Sequence, residues 1–191
     1  MKKIVFDIET KNTFAEVGGR DPILLDLSVV VAYDYETDKY YSYQESELTK
    51  LWPLLEQADL IIGYNSNYFD IPILNKYYPG DLTRIKSLDL LEEIRKSLGK
   101  RISLDMVAGG TLGKAKSANG LQAVEWWKEG KIDEIIKYCE QDVRVTKEVH
   151  DYALANKELK YKLINEIKSF PIDLSAYDNL KGGGINYTLP F

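Results

Sequence analysis

The chain has 191 residues, 45% of them hydrophobic, with a formal net charge of −5 and a single cysteine. One packed domain is the natural expectation at this size, and that apolar share excludes bulk disorder. No apolar run approaches the roughly 20 residues needed to cross a bilayer, so no membrane partner is expected, and a lone cysteine excludes an internal disulfide and fits a reducing, cytoplasmic setting.

Residues 2–8, within KIVFDIET, are rich in Ile, Val and Phe and read as a buried strand. Asp7 and Glu9 lie two apart, so the strand period points both carboxylates to one face. Side by side they repel and resist ionisation unless a cation sits between them, although a solvated strand end carries such pairs too. The same acids interrupt the apolar start too early for a signal peptide. Residues 11–22, with Gly18-Gly19, read as a polar loop bordering whatever site the acids form. A second strand is expected over residues 24–33 and a third over 39–43, joined by the turn-like Glu36-Thr37-Asp38. Residues 46–58 fit an amphipathic helix opened by a Ser46 cap, with Leu48, Leu51, Trp52 and Leu55 inward and a kink or break at Pro53.

Residues 60–63 read as the fourth strand, followed by the loop formers Gly63, Asn65, Ser66 and Asn67. Phe69-Asp70-Ile71-Pro72 reads as a strand-to-helix turn, with Pro72 in the first helical turn. Asp70 by itself fits a helix cap as well as it fits a ligand. Asn65 and Phe69 set an amide and an aromatic face beside that carboxylate, which suits a splayed nucleotide. A fifth strand is expected over 84–88, and Asp89 with Glu92 resembles a capping box starting a helix to Leu98. Residues 82–116 carry eight basic groups against four acidic, a local +4 that leaves −9 for the rest of a chain totalling −5. A basic patch on an acidic remainder suits transient handling of a strand end, and a solvated Lys/Arg surface accounts for any one of these residues equally well. Residues 109–119 are expected to form a mobile basic loop carrying Lys114 and Lys116, without a P-loop match.

Trp126-Trp127 reads as one core ring and one partly exposed ring. Ile132, Ile135, Ile136, Cys139, Val143, Thr146 and Val149 recur at three- and four-residue steps, the buried face of a long helix. Tyr138 and Asp142 stack on one face of it, roughly 6 Å apart along the axis, where a solvated Tyr–Asp pair is the bland alternative. Cys139 falls on the apolar face as a core thiol. His150, the only histidine, reads as an ordinary residue near a helix end. The main domain is expected over residues 1–158, and 159–191 as a C-terminal extension: a hairpin followed by a flexible tail at Lys181-Gly182-Gly183-Gly184.

Asp7, Glu9, Asp70 and Asp142 together make a set of four carboxylates, enough to hold two divalent ions about 4 Å apart and clamp the attacking and leaving oxygens of a phosphoryl transfer. Oxygen-only ligands suit Mg²⁺ or Mn²⁺ better than zinc. FDIET, GYNSNYFD and YCEQD, in that order, resemble the three motifs of the DEDD superfamily of 3′–5′ exonucleases, in the subgroup whose third motif is Tyr-x-x-x-Asp. The likeness runs over roughly residues 1–155 and is strongest to proofreading domains of family B DNA polymerases and their stand-alone relatives. One departure is Tyr68, where the polymerase domains carry Asn. The sister subgroup places His five residues before the last Asp, and Lys137 stands there.

The resemblance implies an α/β, ribonuclease H-like fold, a central mixed five-stranded sheet flanked by helices. It also implies a two-metal 3′–5′ exonuclease acting on single-stranded DNA or RNA ends, DNA favoured. Asp7, Glu9, Asp70 and Asp142 would bind two Mg²⁺ or Mn²⁺, Tyr138 would orient the attacking water, and Thr10, Asn65 and Phe69 would contact the terminal nucleotides. Lys114 and Lys116 are further nucleic-acid contacts, and a polymerase, helicase or other repair protein is the expected partner. A non-catalytic nucleic-acid-binding module and a phosphoesterase on short oligonucleotides are the alternatives.

Overall fold

Strand β1, Lys3–Thr10, runs through the middle of a five-stranded sheet and decides where everything else packs. The computed structural model describes residues 1–114 and 120–178. The other strands of this sheet are β2 (Leu27–Asp34), β3 (Lys39–Gln44), β4 (Leu60–Gly63) and β5 (Ser87–Asp89), in the order β3-β2-β1-β4-β5. β1 to β3 pair antiparallel, while β4 and β5 continue parallel to β1. This is the expected mixed sheet, flanked on both faces by helices.

The two faces of the sheet bury separate cores, and the alternation along β1 sorts its residues between them. Ile4, Phe6 and Ile8 pack with Val30, Ala32 and Ile61 against α2 (Leu48–Glu56) and α3 (Asp70–Asn75). Val5 faces the other way, with Val29, Val31 and Ile62, against α4 (Leu90–Leu98), α5 (Leu104–Thr111), α6 (Gly120–Lys128) and the 25-residue α7 (Ile132–Asn156). Asp7 and Glu9 continue the Val5 face and therefore emerge under α7. A hairpin of β6 (Glu158–Lys162) and β7 (Ile167–Pro171) closes this side, and its Leu159, Tyr161 and Phe170 join the same core. A last short helix, α8, spans Ser175–Asp178.

Several elements depart from the sequence expectations. The polar stretch 11–22 contains a one-turn helix, Phe14–Val17 (our α1), because Thr13 and Glu16 form a reciprocal capping box and Gly18 closes the turn at φ 68°. The second strand starts only at Leu27, since Asp21 caps a 3₁₀ turn over Pro22–Leu24. Likewise Asp81 caps a 3₁₀ turn over Leu82–Arg84, so β5 is shorter than the expected 84–88. Ser46 caps nothing. It lies in a 3₁₀ turn, Glu45–Glu47, boxed by Gln44 and Glu47 ahead of α2. That helix continues through Pro53 without a break. The missing N–H of Pro53 forfeits only a bond back to the first turn.

Gly109 and Gly110 lie inside α5, not in a loop, because α5 crosses β6 so closely that a Cβ on Gly110 would fall 2.6 Å from the Tyr161 backbone. The rest of the expected basic loop, residues 115–119 with Lys116, and the glycine-rich tail beyond 178 lie outside the described residues. Trp126 and Trp127 are both half-buried: Trp126 packs edge-on to Tyr138, and Lys11 sits over the Trp127 ring. His150 is 1% exposed and well inside α7, with Nδ1 2.9 Å from the Tyr35 hydroxyl. It is a core residue, since the helix runs two turns further than its periodic pattern suggested. Ile132 and Ile136, placed on the buried face by periodicity, are half-buried.

Candidate active site

The strand connectivity reverses at β1, antiparallel to β2 on one side and parallel to β4 on the other. Crevices open beyond the carboxyl ends of parallel strands at such a point. Here the crevice is a cleft of about 420 Å³ between the end of β1, the loop after β4 and one face of α7. A register slip between Glu9 and Thr10, where β2 carries the extra residue Ser28, bends the strand pair at its rim.

Asp7, Glu9, Asp70, Tyr138 and Asp142 all line this cleft. Oxygens of Asp7, Glu9 and Asp142 lie within 4.8 Å of one another. Asp70 is 3% exposed at the first position of α3, where its side chain caps no helix N–H beyond its own, and it adjoins the trio through Asp7. Burial, then the charges of Asp70, Asp142 and Glu9, hold the Asp7 carboxyl well above the usual carboxylate range. Burial and the neighbouring Asp89 push Asp70 up to about 8, against the pull of two backbone N–H donors. Carboxylates crowded and desolvated in this way disfavour ionisation unless a cation is present. A purely oxygen donor set of this density fits one or more Mg²⁺ or Mn²⁺ ions.

Tyr138, one turn before Asp142, hydrogen-bonds that carboxylate; burial and then Asp142, Glu9 and Asp7 raise its phenol well above the usual value. The group is therefore a fixed hydrogen-bond donor, not a base, at any ordinary pH. The helical periodicity makes Cys139 a core thiol. Buried it is, but its Sγ lies 3.3 Å from the Asp7 carbonyl and 3.7 Å from Asp7 Oδ2, a contact that eases the crowding of Asp7. Its spacing could have shown this only to a reader who knew that α7 crosses β1.

Thr10, Asn65 and Phe69 also line the cleft. The Thr10 hydroxyl donates to the Asn12 carbonyl at 2.9 Å, which leaves its oxygen as an acceptor. Phe69 packs edge-on to Phe14, ring centroids 6.2 Å apart. Phe14, the sole aromatic of the 11–22 stretch, was missed as a cleft residue, as were Tyr64 and Leu121. Lys114 pairs with Glu148 and borders a separate depression beside the hairpin, outside the cleft lining.

Asp89 carries a second role that its capping pattern hid. At 2% exposure it caps α4 through the N–H groups of Leu91 and Glu92, and it also accepts the backbone N–H groups of Asn65 at 2.8 Å and Asn67 at 3.0 Å. One buried carboxylate thus ties the loop after β4 to the start of α4. Asn65 is held at φ 66°, a left-handed conformation that Asn tolerates, and Gly63 lets the loop fold back, since a Cβ there would meet Ser66 at 2.5 Å.

A sequence profile of the RNase_H superfamily matches residues 4–154. No curated protein sequence matches the chain. Among solved structures, the family B DNA polymerase from the hyperthermophilic archaeon Pyrobaculum calidifontis is similar, at 18% identity and a TM-score of 0.60. The match covers 80% of this chain but only 24% of the polymerase, so the likeness is one of fold over about a quarter of that protein. Among the described residues no helix is long and apolar enough to cross a membrane.

Proposed function

The chain belongs to the RNase_H superfamily, and from that premise we propose that it is a metal-dependent 3′–5′ exonuclease of the tyrosine subgroup. Its substrate is the terminal phosphodiester of single-stranded nucleic acid, DNA before RNA, and its products are nucleoside 5′-monophosphates. The observation that carries this reading is the set of three carboxylates within 4.8 Å in an open cleft, with buried Asp70 beside them and Tyr138 on top of Asp142. The order of the three motifs supports the exonuclease class, and the likeness to part of a DNA polymerase supports DNA.

Asp7, Glu9, Asp70 and Asp142 are the residues that would hold two Mg²⁺ or Mn²⁺ ions. Bound there, such ions supply acidification of water and neutralisation of charge on the leaving 3′ oxygen. Tyr138 stays protonated and positions the attacking water by hydrogen bonding rather than by taking its proton. Phe69, steadied by Phe14, offers an aromatic edge and face to the terminal base. Thr10, its proton committed to Asn12, accepts from a sugar hydroxyl. The volume of about 420 Å³ has room for the end of a single strand.

The test is digestion of a 5′-labelled single strand, as DNA and as RNA, with Mg²⁺, Mn²⁺ or a chelator, beside a closed single-stranded circle. Progressive shortening of the linear strand, dependent on divalent metal, is expected. Cutting of the circle overturns the exonuclease reading, and loss of only the 5′ label as mononucleotide overturns its polarity.

A further inference from the structure

The candidate catalytic cleft is acidic, and a nucleic acid strand must approach it against that charge. Several described lysines are paired with carboxylates, among them Lys11 with Glu45, Lys96 with Glu93, Lys114 with Glu148, and Lys128 with Glu16. Arg101 is treated differently. It is exposed, in the connection between α4 and α5, and its Nη2 donates to the side-chain oxygen of Asn65 at 2.7 Å. Among the described residues it meets no carboxylate at ion-pair distance. A guanidinium has five N–H donors in a planar fork, so a single bond to a neutral amide leaves both its charge and most of its donors unspent.

Its position relative to the cleft is set from two sides. Asn65 lines the cleft, and its backbone is pinned by Asp89 at 2.8 Å. Tyr64, the next cleft residue, has its hydroxyl bonded to the Ile102 carbonyl at 2.7 Å, which anchors the segment carrying Arg101 to the cleft wall. Burial and Asp89 push the Tyr64 phenol up while Arg101 pulls it back, so the guanidinium charge reaches the wall itself. The bond from Arg101 fixes the Asn65 amide by its oxygen and leaves its two Nδ2 hydrogens as donors. The result is a paired donor surface, amide and guanidinium, at the rim of an otherwise acidic cleft.

We propose that Arg101 binds a backbone phosphate of the single-stranded substrate, upstream of the scissile phosphodiester, and holds Asn65 with its donor face toward the strand. This rests on the nucleic-acid-hydrolase reading above and adds to it the residue that grips the strand behind the bond being cut. An arginine suits the task because its fork can keep Asn65 and take a phosphate oxygen at once.

The experiment measures binding of a fluorescein-labelled ten-nucleotide oligothymidylate by anisotropy, without divalent metal, over a salt series, for the parent, Arg101→Gln and Arg101→Lys. Arg101→Gln should weaken binding about tenfold at low salt. It should also flatten the plot of log affinity against log salt by about 0.7, the contribution of one phosphate contact on a single strand. Arg101→Lys keeps the charge and should retain the parent slope. Unchanged affinity in Arg101→Gln overturns the proposal. So does equal weakening by Gln and Lys with the parent slope intact, which would make Arg101 a support for Asn65 alone. Metal-dependent cleavage of the same oligonucleotide by the parent is scored separately. If cleavage is absent while the slope still falls by 0.7 in Arg101→Gln, the strand contact stands and the hydrolase reading fails.

Discussion

Asp70→Asn should stabilise the metal-free protein, and by an amount that depends on pH in a defined direction. The folded chain holds the Asp70 carboxyl at a pKa of about 8, against the ordinary aspartate value of 3.8. A carboxyl raised on folding keeps a proton that the unfolded chain has released, so stability falls as pH rises from about 4 to about 8 and levels off above that. At pH 7 the cost is roughly three pH units at about 1.4 kcal/mol each, a ceiling of about 4 kcal/mol; water entry into the open cleft lowers the expectation to about 2–4 kcal/mol. Asn keeps the shape and an acceptor for the Ile8 N–H but never ionises. For a chain of this size, that corresponds to a melting-temperature gain of about 5–15 °C. Thermal melts in EDTA at several pH values are the assay. The gap between variant and parent should be near zero at pH 4 and widest at pH 8, where losing the Asp70 charge also relieves Asp7, whose carboxyl that charge helps to hold up. Adding Mn²⁺ should raise the parent and move the variant less. A variant that melts with the parent at every pH, or below it at pH 8 in EDTA, would refute the argument that buried repulsion at this site opposes folding.

Asp7→Ala or Asp142→Ala should abolish cleavage while leaving a cooperative melt, measured with and without Mn²⁺; wild-type-like cleavage by either sinks the two-metal assignment. Tyr138→Phe keeps the ring against Trp126 and removes the donor to Asp142, so kcat should fall by about 10²–10⁴ with KM little changed. Since the phenol is held protonated, the parent pH–rate profile should show no tyrosine limb below pH 10, which steady-state rates across pH will check. Gly110→Ala places a methyl 2.6 Å from the Tyr161 backbone and should cost about 1–3 kcal/mol in urea unfolding. Parental stability would mean that α5 and the hairpin are not in register as described.

What the sequence determined by itself was whatever depends on local periodicity. Two-residue spacing put Asp7 and Glu9 on one face of β1, and four-residue spacing put Tyr138 above Asp142 on α7, because strand and helix geometry reach no further than neighbouring residues. The five sheet strands were legible too, and their ends were misjudged where Asp21 and Asp81 cap 3₁₀ turns that an apolar count reads as strand. His150 was misplaced for a related reason: a periodic pattern shows a helix face but not where the helix stops. Only the tertiary structure decided which distant groups share a dielectric. α7 lying across β1 brings Cys139 to Asp7, and the loop after β4 folds onto Asp89, which then presses its charge on Asp70. Arg101 reaches Asn65 across a sequence separation of 36 residues by the same folding. Repulsion, burial and hydrogen bonding act through space over a few ångströms, and the chain carries no local record of such contacts until the sheet and α7 have closed on each other.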